Sequence, residues 1–128
     1  MPRPPSSTPT EVELAILGVL WKEGPSTVRQ IHDLLKEERG TGYSTTLKMI
    51  QVMTEKKLVL KDDSQRPQVY RPAKREEQTQ LQLIDDLIQR GFGGSAMKLV
   101  LSAVSAKRVN ADEMKRIREL LNQKGPLS

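Results

Sequence analysis

The sequence predicts a mainly α-helical protein with one small β-hairpin, divided into two parts. Three patterns carry this. Three capping boxes, each a Thr or Asn followed three residues later by Glu or Gln, stand ahead of runs whose apolar residues recur at helical spacing. One pair of short β-branched runs is joined by a polar turn. After Pro72 the strand signal is gone and only helical periodicity remains.

Residues 1–9 are Pro- and Ser-rich and are expected to form a disordered N-terminal tail. Thr10 and Glu13 make the first capping box, and an apolar helix runs from there to Trp21 before "EGP" stops it. Thr27 and Gln30 make the second. Val28, Ile31 and Leu35 follow at i, i+3 and i+7, so one face of that helix is buried, and Gly40 and Gly42 end it. The third helix is expected to be capped by Ser44, with Thr46, Ile50 and Met53 on its core face. "LVLKDD" then reads as a strand, "SQRP" as a turn and "QVYRP" as the returning strand. Helix, helix, helix and hairpin in this order make a winged helix-turn-helix, here residues 10–74.

Residues 75–128 read differently. Arg75 to Gln89 is a helix with Leu81, Ile84, Leu87 and Ile88 on one side, and "RGFGG" breaks it. Ser95 to Lys107 is a short apolar helix containing Val100, Leu101 and Val104. Asn110 and Glu113 make the third capping box, ahead of Met114, Ile117 and Leu121. Three short helices cannot bury such broad apolar stripes among themselves. The segment is therefore expected to be a helical dimerisation domain, with these faces meeting the same helices of a second copy.

Composition narrows the function. The chain has 128 residues, a net charge of +5 and only 3% aromatics, which allows a small aliphatic core and suits an anionic partner such as nucleic acid. The absence of cysteine excludes disulfides, thiolate catalysis and Cys-based metal sites. His32 is the sole histidine, so neither a Ser-His-Asp set nor a His/Asp/Glu cluster with metal-ligand spacing can be drawn. The adjacent acids Glu37-Glu38 and Asp85-Asp86 point to different helix faces and read as solvated charge. No enzyme, metal or cofactor is expected. The N-terminus lacks the apolar stretch of a signal peptide and no run is long enough to span a membrane, so a cytoplasmic protein without direct membrane binding is expected.

The third helix carries the binding chemistry. Ser44, Thr45 and Lys48 lie near its N-terminal end, and Thr45 and Lys48 share the face opposite Thr46, Ile50 and Met53. A helix-turn-helix presents this end to base edges in the major groove. Hydroxyls donate or accept there, a threonine methyl can touch a thymine methyl, and lysine reaches guanine O6 or N7. Lys56 and Lys57 follow where backbone phosphate would lie. Arg66 at the hairpin tip is placed for phosphate or the minor groove, although Asp62 and Asp63 beside it repel phosphate. Two alternatives stay open at this point: a winged-helix module that binds protein rather than DNA, and an activator of the same fold.

With these elements in order, the sequence resembles the penicillinase-repressor family. The residues that carry the likeness are "PTEVELAILGVLWKEGPSTVRQI" (9–31), "YSTTLKMIQVMTEKKLV" (43–59), "VYRP" (69–72) and "ADEMKRIRELLNQK" (111–124). The resemblance implies a homodimeric repressor of double-stranded operator DNA that is palindromic, and release through a membrane sensor-protease; it leaves open whether the regulated genes serve antibiotic resistance or an unrelated role such as respiration or stress. It places Tyr43, Ser44, Thr45 and Lys48 on DNA, with Arg66 in the wing. There are departures. Ser102-Ala103 stands where family members cleaved during antibiotic induction have an Asn-Phe pair. The Cys pairs of the copper-responsive relatives are absent, and Val52 stands where the family often has an arginine that meets phosphate.

Overall fold

Thr10 opens the first helix in the computed structural model, which describes residues 8–124. Its hydroxyl accepts from the Glu13 amide at 3.2 Å while the Glu13 carboxylate accepts from the Thr10 amide at 2.9 Å. Both donors would otherwise be left without a partner at the start of α1 (Glu11–Glu23). Thr27 and Gln30 repeat the arrangement at 3.2 and 2.8 Å ahead of α2 (Val28–Arg39), which ends on a left-handed Gly40. The expected N-terminal tail falls mostly outside the described residues. Pro9, its last residue, is buried, so order begins before Thr10.

The third helix, α3 (Tyr43–Glu55), departs from expectation at its start. Its N-cap is Gly42, and Ser44 lies inside the first turn with no capping bond. The Gly42 carbonyl accepts from the Thr46 amide at 3.1 Å and from the Thr46 hydroxyl at 3.3 Å, which moves the helix start back by two residues. The helix ends at Glu55, and just beyond it Lys57, with a φ of 63°, lets the Leu58 amide reach back to the Met53 carbonyl at 2.9 Å.

Strands β1 (Val59–Asp62) and β2 (Val69–Pro72) pair antiparallel, with Val59 opposite Pro72 and Lys61 opposite Tyr70. Ser26, buried ahead of α2, exchanges two backbone bonds with Tyr70 at 3.0 and 2.8 Å and so ties the hairpin to the helices. The core gathers residues from the first three helices and the hairpin: Ile16 and Leu20 from α1, Ile31 from α2, Ile50 and Met53 from α3, and Val59 from β1 are all essentially inaccessible to solvent. Each such side chain contributes roughly 1.5–3 kcal/mol through burial. Trp21 packs partly against this core and its indole N–H donates to the Lys74 carbonyl at 3.0 Å.

The chain divides into two compact units, Met1–Leu83 and Ile84–Ser128. The boundary between these units falls within α4 (Glu76–Gly91). The physical reason is that the first turn of α4 is anchored in the winged helix, where Thr79 is buried. The second unit continues through α5 (Ala96–Ser105), capped by Ser95, and α6 (Ala111–Lys124), where Asn110 and Glu113 close the third capping box at 2.8 and 3.0 Å. Among its described residues none is buried. None of its helices is long and apolar enough to cross a membrane, and the same holds for the other described helices.

Candidate nucleic-acid interface

Burial of Thr46, Ile50 and Met53 against α1, α2 and the hairpin fixes which side of α3 looks outward. That outward side carries Ser44, Thr45 and Lys48, all exposed. Among the described residues neither Ser44 nor Thr45 spends its hydroxyl on a bond, and Lys48 has no carboxylate partner. Three polar groups with free hydrogen-bonding capacity therefore stand on the first turns of one rigid helix.

Tyr43, the first residue of α3, is held from α2. The Arg29 guanidinium lies 4.4 Å above its ring, and the His32 ring meets it edge-on at 5.8 Å between centroids. His32 Nδ1 is also 3.5 Å from the Thr46 hydroxyl. A cation stacked on an exposed tyrosine contributes about 0.5–1 kcal/mol. Its larger effect here is to place a guanidinium that has no carboxylate partner among the described residues beside the N-terminus of α3, where free backbone amides already favour anions. Arg29 and His32 were not marked by the sequence reading. Their i, i+3 spacing puts them on one face of α2, but only the turn between α2 and α3 brings that face to Tyr43.

The two lysines at the far end of α3 part company. The Lys56 ammonium is 2.9 Å from Glu13 Oε2, and that carboxylate is only 3% exposed. Lys56 thus reaches toward α1 and pairs with Glu13 while its side chain stays 43% exposed. Burial is the largest single influence on the Glu13 carboxyl and pushes its pKa up. The Thr10 amide and the Lys56 ammonium outweigh it together and hold the carboxyl below its ordinary value. Lys57 is exposed and carries no ion pair among the described residues, which leaves its charge available to another partner.

At the hairpin tip the two acids find local partners, and Asp62 stays charged. The Asp62 carboxylate accepts from the Ser64 hydroxyl at 2.6 Å and the Ser64 amide at 2.9 Å, which holds it below the usual carboxylate range. Asp63 faces Lys61 at 3.7 Å. Arg66 is exposed and has no carboxylate partner among the described residues.

Outside this face lie the residues expected to dimerise. Leu81, Ile84 and Leu87 on α4, Val100, Leu101 and Val104 on α5, and Ile117 and Leu121 on α6 are all exposed, and Ile88 is half-buried. Ser102 and Ala103 sit in the middle of α5, the first exposed and the second half-buried. The described residues hold no cluster of His, Asp or Glu fit for a metal ion.

Comparison with known proteins gives a coherent result. The family model described as penicillinase repressor matches residues 9–123. The sequence is also similar to the transcriptional regulator BlaI of two strains of Mycobacterium tuberculosis, CDC 1551 / Oshkosh and H37Rv. It is 33% identical to each over 113 residues, which covers 87% of this chain and 80% of the relative.

Proposed function

The chain belongs to the penicillinase repressor family, whose members are transcriptional regulators and not enzymes, and from that premise we propose that it represses transcription as a homodimer on a palindromic operator in the cytoplasm. The observation that carries the DNA-facing part is the outward row of Ser44, Thr45 and Lys48 on α3, whose hydrogen-bonding side-chain groups have no partner among the described residues. Phosphate contacts from Lys57, Arg66 and Arg29 supply most of the affinity and make it salt-dependent. Tyr43, locked by Arg29, orients the start of the helix. Base contacts from the row supply specificity. The exposed aliphatic faces of α4, α5 and α6 support dimerisation, and the two-fold symmetry sets half-site spacing to about one turn of DNA or a multiple.

A half-site alone binds weakly, so weakening the dimer releases the operator. In this reading a membrane sensor-protease relays the signal, and cleavage near Ser102-Ala103 would cut α5 and remove the apolar face it shares with α6 from the dimer. Exposure of Ser102 on α5 supports access at that point. The test of the main reading is a gel shift with the DNA upstream of the protein's own gene, at two salt concentrations and with competitor DNA. The expected result is a discrete complex that resists competitor and weakens with salt. Lys48→Ala should lower specific binding more than non-specific binding. Equal loss of both would reduce Lys48 to a phosphate contact.

A further inference from the structure

We infer that the groove between the outer sides of α1 and α2 is a self-association surface, which receives the same groove of a second copy of this chain. Gly18, Val19 and Lys22 of α1 and Leu34, Leu35 and Glu38 of α2 line a cavity of about 260 Å³ there. Successive helical residues are turned by about 100°. Leu34 and Glu38 therefore fall on the side of α2 opposite Arg29 and His32, the two residues that meet Tyr43. The groove thus looks away from the start of α3 and stays open when that helix is engaged. No residue of α4, α5 or α6 lines it, so it is separate from their aliphatic faces.

The shape and charge of the groove complement themselves. Leu34 supplies a knob, an aliphatic side chain left 51% exposed. Gly18 supplies a hole, since a Cβ built there would meet nothing within 4 Å. Glycine weakens a helix interior relative to alanine, and no described neighbour requires it at this point. The charges stand at opposite ends. Glu11 of α1 pairs with Arg39 of α2 at 3.5 Å, so the N-terminal end of α1 meets the C-terminal end of α2. Glu38 therefore lies at one end of the groove and Lys22 at the other, and neither has an ion-pair partner among the described residues. Glu23, next to Lys22, is exposed to solvent, where salt screens its charge. A two-fold axis through the groove sets Leu34 of each copy over Gly18 of the other, and Lys22 of each beside Glu38 of the other. A contact of this size is weak between free molecules and gains from any linkage that holds two copies close. Between repressor dimers it joins one dimer to the next. That step rests on the dimer reading above, whereas the contact itself does not.

The experiment is sedimentation equilibrium of the full-length chain at concentrations up to about 1 mM, where even a weak contact registers. An association step should appear that weakens about tenfold in Lys22→Glu and again in Glu38→Lys, because each change removes two symmetry-related surface ion pairs. The double variant Lys22→Glu with Glu38→Lys forms both pairs again with their signs exchanged, and should regain the step to within roughly threefold. Gly18→Gln fills the hole and should abolish the step. It should unfold at no lower temperature than the parent, since glutamine is the better helix former. The chain has no cysteine of its own, so contact is also readable by thiol cross-linking. Copies carrying Gly18→Cys should join copies carrying Leu34→Cys in preference to their own kind. A step indifferent to all four variants belongs to α4, α5 and α6 and overturns the inference. A double variant as weak as either single one also overturns it, because the contact is then not two-fold. Absence of any step overturns it too, and leaves the groove to a different protein.

Discussion

Ile50 and Leu101 are both aliphatic residues on the apolar sides of helices, yet the first is fully buried and the second is 56% exposed. The contrast holds across the molecule. The winged-helix unit closes its core with one face from each of its elements. Within the second unit, α5 and α6 leave Val100, Leu101, Ile117 and Leu121 open to water. The lesson is that apolar burial is completed within the chain in one region, whereas in the other the aliphatic faces stay open to water. A unit that folds on itself gains nothing from concentration, whereas one that waits for a second copy is stabilised by mass action.

The largest expected effect tests the closed side. Ile50→Ala should cost about 3–4 kcal/mol, through lost burial and the cavity left behind. Thermal unfolding followed by circular dichroism should show that loss at any protein concentration. A concentration-dependent loss would break the contrast. Next, Leu101→Asp should leave the winged helix folded but yield a monomer in sedimentation. Operator affinity should then fall on the order of 100-fold, because a single half-site loses the benefit of linked binding. A stable dimer in this variant would remove α5 from the interface.

A third prediction concerns the ion pair inside the closed unit. Lys56→Ala leaves the buried Glu13 carboxylate without its cation and should cost about 1–2 kcal/mol. The sign of the pH dependence follows from the direction of the Glu13 shift. Its folded pKa lies below the ordinary 4.5, so its contribution is fully present above that pH and is lost as pH falls through the folded value. Glu13→Gln should therefore flatten the acid limb of the stability profile, and an unaltered limb would count against the pair. The smallest effect is on α3. Ser44→Ala should change stability by less than about 0.5 kcal/mol, since no cap is lost, while Thr27→Ala should cost about 1 kcal/mol. Chemical denaturation of the two variants side by side measures the difference.

What was legible in the sequence was local. The boxes at Thr10, Thr27 and Asn110 depend on residues three apart, and all three form. The core faces of α2 and α3 depend on helical spacing and are buried as the spacing requires. The start of α3 was misjudged because a serine near a helix start resembles a cap. Its true position is set by Gly42 and Thr46, and Tyr43 is held in place by Arg29 and His32 from another helix. The engagement of Lys56 was illegible for the same reason, since Glu13 lies 43 positions away. Of the candidate DNA-facing residues, charge and exposure could be anticipated, but which charges are already spent could not.

Trp21 has a practical consequence. It is the chain's single tryptophan, and its indole N–H is bonded to the Lys74 carbonyl just where α4 takes root. All indole emission from the native protein therefore reports one junction. If that junction loosens, the ring loses its acceptor, meets bulk water, and its fluorescence shifts to the red. The molecule thus carries a built-in optical gauge of whether the base of α4 is seated, readable in real time without any label.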